Sequence, residues 1–183
     1  ISHPNAALGW DAHNGMAASR PDKDYVHQVQ LMLAARQGIV PEIAIVSADI
    51  HHFIAGRMTG RTLFDDVPAA DWKPDLVVVQ MGDNAPPETP YEVWADAYQE
   101  IRSWSPGARY IAVGKWGGRL GNVEEEYIQR AAAITGMQYV RIRDLHTEGN
   151  VAAQFADKNV AWHPNDQGMQ LIAERIVEAL RPS

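Results

Sequence analysis

Asn84 stands in a loop where an amide side chain could stabilise negative charge on a reacting oxygen. It follows the apolar run Leu76 to Gln80, and Gly82 favours a tight turn directly after that run. An amide N–H group fixed in such a turn can donate a hydrogen bond to a developing oxyanion, which contributes about 3–4 kcal/mol. The alternative is that Asn84 only satisfies its own turn.

His163 is of the type that transfers protons near neutral pH, and it also stands in a loop. Pro164 disfavours helix at His163 and keeps the chain extended there. Asn165 or Asp166, directly afterwards, is typical of a helix N-cap. The sequence therefore places His163 just before the last helix, where it is either a general base or an ordinary surface histidine.

Short runs rich in valine and isoleucine alternate with segments of helical periodicity along the chain. The expected strands are Glu42 to Val46, Leu76 to Gln80, Tyr110 to Val113 and Tyr139 to Ile142. The expected helices are Asp24 to Gln37, Tyr91 to Trp104, Val123 to Thr135 and Asn165 to Leu180. This alternation predicts a three-layer α/β/α fold with a central parallel sheet. Ligands bind such sheets beyond the carboxyl ends of the strands.

The composition limits both the size and the partners of the protein. Its 183 residues, 46% of them hydrophobic, predict a single domain over 1–183. A net charge of −7 argues against nucleic acid and acidic membrane surfaces as partners. There is no cysteine, which excludes disulfides and thiolate catalysis. We expect a soluble protein with no membrane partner, and removal of a signal peptide, giving a secreted or periplasmic protein, stays open.

Taken together, the segments around Asn84 and His163 resemble the SGNH (GDSL-type) hydrolases, which carry Gly-x-Asn after the third strand and His-Pro before the last helix. Gly9-Trp10, Asn14 to Ser19 and Asp24 to His27 are similar to a carbohydrate-esterase-like branch of that superfamily. The resemblance covers nearly the whole chain. It implies an SGNH/flavodoxin-like serine esterase in which His163 is the base and Asn84 an oxyanion donor, with no metal and no cofactor.

The resemblance also implies a second oxyanion donor and a nucleophile. By alignment the second donor is the backbone N–H of Ala18, with Gly15 the next candidate. Ile1-Ser2 looks like the two residues that follow the family's serine, so the nucleophile and its strand are expected upstream of Ile1, with Ser2 as the fallback. That strand would lie between Glu42 to Val46 and Leu76 to Gln80. Ser19 is expected to cap a helix that begins near Asp22.

The acid of the family's triad has no counterpart, because the position three residues before His163 is Val160. Two alternatives stay open: a main-chain carbonyl orients the imidazole in a Ser-His dyad, or a carboxylate such as Asp157 takes the role. A set of tryptophans near the expected site loops suits stacking on a sugar ring, and the alternative is packing under those loops: Trp10, Trp116 and Trp162. The histidines, His51-His52 included, lack the spacing of metal ligands.

The resemblance therefore implies an esterase that removes a small acyl group, such as acetyl, from a carbohydrate. Its partners would be a small-molecule or polysaccharide ester and an N-terminal segment of the same protein. One alternative is a catalytically inactive carbohydrate-binding module of the same fold. Another is a lipase or thioesterase, which would need an apolar groove that the polar loops at 83–89 and 114–121 do not indicate.

Overall fold

The computed structural model describes residues 14–46, 50, 53, 73–86, 88–117 and 123–181. The chain divides into two compact units. One unit combines Ile1–Ser47 with Ile142–Ser183, and the other is Ala48–Arg141.

The unit Ala48–Arg141 contains a parallel sheet of three strands. The strands are β1 (Leu76–Gln80), β2 (Arg109–Val113) and β3 (Gln138–Val140), in the order β1-β2-β3. Both pairings are parallel. The central strand is buried from its second residue to its last, as expected for a strand covered on both faces.

Two described helices of this unit, α2 (Tyr91–Trp104) and α3 (Val123–Thr135), pack against each other. The buried face of α2 repeats at three- and four-residue steps, which is the spacing of a helix with one apolar side. Large side chains fill the core between helices and sheet, among them Trp94, Tyr98, Ile101, Tyr110 and Ile128. This packing holds the carboxyl ends of β1 and β2 in fixed positions.

The other unit is built on three helices of the described chain, α1 (Tyr25–Gln37), α4 (Lys158–Ala161) and α5 (Asp166–Ala179). Asp24 caps α1 by accepting from the N–H of His27, and Asn165 caps α5 by accepting from the N–H of Gly168. Helices α1 and α5 pack together. Short 3-10 turns lie at Pro21–Lys23, Arg143–Leu145 and Glu148–Asn150.

The α/β class and the parallel sheet predicted from the sequence are confirmed, with the predicted helices and three of the four predicted strands within two residues of their observed bounds. The fourth strand is wrong: residues 42–46 have no regular secondary structure. An apolar run becomes a strand only where a partner satisfies its backbone groups, and no described strand pairs with it. None of the described helices combines the length and apolar character that a bilayer span requires.

Ser19 does not cap a helix, so that prediction is also wrong. The 3-10 turn at Pro21–Lys23 follows Arg20 without a side-chain cap. The Ser19 hydroxyl instead donates to Asp166 Oδ2 at 2.6 Å, and the Ser19 N–H donates to Asp166 Oδ1 at 2.7 Å. A carboxylate that accepts two hydrogen bonds from one residue outcompetes a local cap.

Candidate active-site residues

Asn84 occupies a tight turn directly after β1. The N–H of Ala85 donates to the carbonyl oxygen of Gly82 at 3.1 Å, which closes a turn around Asp83 and Asn84. Gly82 has φ +106°, and a Cβ there would lie 2.3 Å from Cη2 of the buried Trp94, so only glycine fits. Asn84 itself is exposed. The turn thus presents the amide side chain to solvent at the carboxyl end of β1.

The carboxylate of Asp83 anchors this turn by accepting two hydrogen bonds. Its Oδ2 accepts a hydrogen bond from Nε2 of Gln80, the last residue of β1, at 2.6 Å. Its Oδ1 accepts from the backbone N–H of Trp116 at 3.1 Å. One half-buried carboxylate therefore joins the end of β1 to the loop that follows β2.

The described part of the loop after β2, residues 114–117, is buried and held by a second carboxylate. Glu125 in α3 accepts from the backbone N–H of Lys115 at 2.9 Å and from the hydroxyl of Tyr139. A Cβ at Gly114 would lie within 3 Å of the Glu125 carboxylate and of the Tyr139 hydroxyl. Trp116 is only 3% exposed, so its ring packs within the protein and offers no open face for stacking in this state. Its role in substrate binding stays a prediction.

A buried ion pair lies beside this loop. Lys115 Nζ is 3.7 Å from Glu124 Oε2, and the two side chains are 6% and 2% exposed. Neither carboxylate oxygen of Glu124 has a hydrogen-bond partner among the described residues.

Burial raises the pKa of the Tyr98 phenol, and the charges of Glu125 and Asp83 add to the effect.

His163 is anchored through one ring nitrogen. Its Nδ1 lies 2.6 Å from the carbonyl oxygen of Asn159 in α4. Because a carbonyl only accepts hydrogen bonds, Nδ1 carries the proton and Nε2 is the basic nitrogen of the neutral ring. The backbone is held as well, since the carbonyl oxygen of His163 accepts from the N–H of Ala152 at 3.0 Å. A half-buried histidine with this tautomer is suited to act as a general base.

The group on His163 Nδ1 is the main-chain carbonyl, one of the two alternatives left open by the sequence. The Asp157 carboxylate has a different contact: it caps α4 by accepting from the N–H groups of Asn159 and Val160, at 2.8 and 3.3 Å. Val160 is fully buried and packs in an apolar cluster with Ala17 and Ala152. The position of the usual acid is therefore part of the core.

Trp162 packs between two histidines of the same unit. Its ring lies 5.2 Å from the ring of His146, and 5.7 Å from that of His163 in an edge-to-face arrangement. It is half-buried. The contact with His163 adds a second restraint on the imidazole, and a role for Trp162 in binding a sugar stays a prediction.

Both of the predicted backbone donors, the N–H groups of Gly15 and Ala18, already have hydrogen-bond acceptors within the same unit. The N–H of Ala18 donates to the carbonyl oxygen of Gly15 at 3.0 Å, and the N–H of Gly15 donates to Asp24 Oδ2 at 3.1 Å. The buried Asn14 braces the turn by donating to the Ala18 carbonyl oxygen at 3.2 Å. In this state an oxyanion would have to share these N–H groups, so their role stays a prediction.

The remaining candidates fall outside the described residues. Ser2 and Trp10 precede residue 14, and His51 and His52 also lie in undescribed parts of the chain.

Sequence reasoning missed Asp83 and Asp166 as anchors of the loops. Asp83 carries a signal that could have found it, since an acidic residue beside an amide in a turn after a strand often accepts backbone N–H groups. Asp166 and Ser19 are 147 residues apart and carry none.

Solved structures with similar folds include two esterase-like hydrolases. A GDSL-like lipase from Parabacteroides merdae ATCC 43184 has a TM-score of 0.60 and 15% identity, over 85% of this chain and 80% of the lipase. A two-domain esterase active on acetylated mannans has a TM-score of 0.64 and 16% identity, over 91% of this chain and 45% of the esterase. This chain thus spans about half the length of that esterase, which has also been crystallised with mannopentaose.

The sequence itself matches no protein-family model, and no curated protein is significantly similar to it. The structural likeness shows the fold: this chain has the SGNH/GDSL hydrolase-like fold that the sequence resemblance implied. Proteins described as lipases and esterases are its structural neighbours.

Proposed function

We propose that the protein is a serine esterase that removes a small acyl group, such as acetyl, from a carbohydrate. The observation that carries the proposal is the 2.6 Å contact between His163 Nδ1 and the Asn159 carbonyl oxygen. It gives a loop histidine a fixed orientation and a defined tautomer, and a general base needs both. The exposed amide of Asn84 supplies the second element, a hydrogen-bond donor for an oxyanion.

The reaction would proceed in two half-reactions. A serine hydroxyl attacks the ester carbonyl carbon while His163 Nε2 takes the hydroxyl proton, and Asn84 donates to the oxygen that becomes negative. The C–O bond to the sugar then breaks, and the leaving alkoxide takes the proton from His163. Water attacks the acyl-serine by the same route and releases the acid. Ser2, the candidate nucleophile within this sequence, lies outside the described residues.

A carbonyl partner sets the strength of the base. It accepts the Nδ1 proton and is a dipole, so it stabilises the imidazolium less than a full negative charge would. The imidazole is held in the correct tautomer all the same, which is one of the two roles of an orienting acid. A dyad of this kind is sufficient for esters, whose leaving alcohols are better than amines. We therefore expect esterase rather than peptidase activity.

Two observations support a short acyl group on a carbohydrate. A structural neighbour is an esterase active on acetylated mannans. The turn that would face the acyl group carries the polar residues Asp83 and Asn84. Polar surroundings of this kind suit acetyl better than a long alkyl chain.

The test is acetate release by the full-length protein from acetylated mannan and acetylated xylan, with 4-nitrophenyl acetate and octanoate as simple esters. We expect hydrolysis of the acetylated substrates, little hydrolysis of octanoate, and loss of activity in His163→Ala and Asn84→Ala. Matched controls are Lys158→Ala in α4 and Glu88→Ala in the Asn84 loop, which replace exposed side chains. Polysaccharide binding without hydrolysis would identify a binding module instead, and faster hydrolysis of octanoate a lipase.

A further inference from the structure

We propose that Asp83 is a positioning residue for catalysis: its carboxylate holds the Asn84 turn in the geometry that an oxyanion donor needs. This inference rests on the proposed esterase function. Its basis is the pair of hydrogen bonds that Asp83 accepts, from Gln80 Nε2 at 2.6 Å and from the Trp116 N–H at 3.1 Å. Asn84 is the next residue in the chain, so any movement of Asp83 moves the donor.

Asn84 needs an anchor because its side chain is exposed to solvent. The turn is closed by the backbone hydrogen bond from Ala85 N–H to the Gly82 carbonyl oxygen at 3.1 Å, and Asn84 is exposed at its corner. An exposed side chain in a turn keeps much of its conformational freedom. A donor stabilises an oxyanion well only when it is already oriented before charge develops. The anchor must therefore act on the backbone of the turn, where Asp83 is attached.

The two acceptors of Asp83 reach different elements, which makes the anchor rigid. Gln80 is the last residue of β1, and Trp116 belongs to the buried loop after β2. Because β1 and β2 are paired in register from Leu76 with Arg109 to Gln80 with Val113, the strand end and the loop that contact Asp83 are attached to the same sheet. A carboxylate suits the task, since both of its oxygens accept and hydrogen bonds to a charged acceptor are stronger than neutral ones.

The experiment is a double-mutant cycle on ester hydrolysis with Asp83→Ala and Asn84→Ala in the full-length protein. Asp83→Ala is expected to lower kcat by about 10²-fold, the loss that a misplaced reactive group causes, with KM little changed. In the Asn84→Ala background the same substitution should cause almost no further loss, because its effect passes through Asn84. Asp83→Asn, whose amide oxygen can still accept from Trp116 N–H, should recover most of the rate.

The matched control is Asp75→Ala, which removes an exposed carboxylate at the other end of β1 and should leave kcat unchanged. Hydrogen exchange at the Trp116 N–H provides a readout that does not depend on activity. It should be faster in Asp83→Ala and unchanged in Asp75→Ala. If Asp83→Ala does not fold, Gln80→Leu breaks one of the two anchoring bonds and enters the same cycle with Asn84→Ala.

The possible failures are distinguishable. Wild-type protein without hydrolytic activity, or Asn84→Ala as active as wild type, would overturn the proposed function and this inference with it. An effect of Asn84→Ala combined with an unchanged kcat in Asp83→Ala would overturn only the positioning role. So would effects of the two substitutions that multiply in the double variant, because they would show that Asp83 acts independently of Asn84.

Discussion

The Nδ1 atom of His163 lies 2.6 Å from the carbonyl oxygen of Asn159, four residues earlier in the chain. The carbonyl belongs to the one-turn helix α4, and the stability of that turn depends on the Asp157 cap. A helix of one turn has almost no stability of its own. The orientation of the imidazole is therefore coupled to a carboxylate that does not touch it in the described contacts.

Substitutions of Asp157 should distinguish its role as the N-cap of α4 from a direct role in catalysis. Asparagine is as good an N-cap as aspartate, so Asp157→Asn should leave kcat nearly unchanged, whereas Asp157→Ala removes the cap, which is worth about 0.5–2 kcal/mol, and should lower kcat. The measurement is kcat and its pH profile for both variants. If Asp157→Asn lost about 10⁴-fold, as when an orienting acid is removed, a direct catalytic role of the carboxylate would be indicated.

The two proposed catalytic residues should differ in how much activity their removal costs. His163→Ala should lower kcat by several orders of magnitude, because the base acts in both half-reactions. Asn84→Ala should lower it by about 10²–10³, the usual loss for one oxyanion donor. Steady-state kinetics with 4-nitrophenyl acetate gives both values. A wild-type rate in His163→Ala would remove His163 from the mechanism.

Tyr98→Phe should stabilise the protein. The Tyr98 hydroxyl is fully buried and has no hydrogen-bond partner among the described residues, so removing it recovers part of a desolvation cost of about 1–3 kcal/mol. Urea unfolding at pH 7 measures the difference. A large loss of stability would mean that a partner such as a buried water satisfies the hydroxyl.

The same residue gives an expectation for alkaline pH. Burial first, and then the charges of Glu125, Tyr139 and Asp83, raise the pKa of Tyr98 above its ordinary value. Because the folded pKa is raised, the stability linked to this group is fully present below the unfolded pKa of about 10 and is lost as the pH rises beyond it. The free energy of unfolding should therefore fall less steeply above that pH in Tyr98→Phe than in wild type.

The Lys115–Glu124 pair should respond differently to single and double substitution. Lys115→Met leaves the buried Glu124 carboxylate without its ammonium and should destabilise the protein by about 3–5 kcal/mol. Adding Glu124→Leu should restore most of that loss, since an apolar pair of similar volume fills the same space. The exposed Glu126→Ala, in the same turn of α3, is the control. Equal losses in the single and double variants would indicate that Lys115 has another buried partner.

The sequence could predict most of the sheet and the type of the two proposed catalytic side chains. Val-rich runs and helical periodicity are local signals, and Pro164 and Gly82 mark the loops that carry His163 and Asn84. The strand expected at 42–46 is wrong because strand formation depends on a partner elsewhere in the chain. The orienting carbonyl of Asn159 could only be left as an alternative, since every residue has a carbonyl and no residue type indicates which one is used.

Val160 has a consequence for how this chain can change by mutation. It is fully buried against Ala17 and Ala152, so an aspartate at that position would place a charge in an apolar cluster at a cost of several kcal/mol. A carboxylate could be accommodated there only if the neighbouring positions became polar or smaller, and such changes would weaken the core. Val160→Asp alone is therefore expected to destabilise the fold before it could supply a carboxylate to His163.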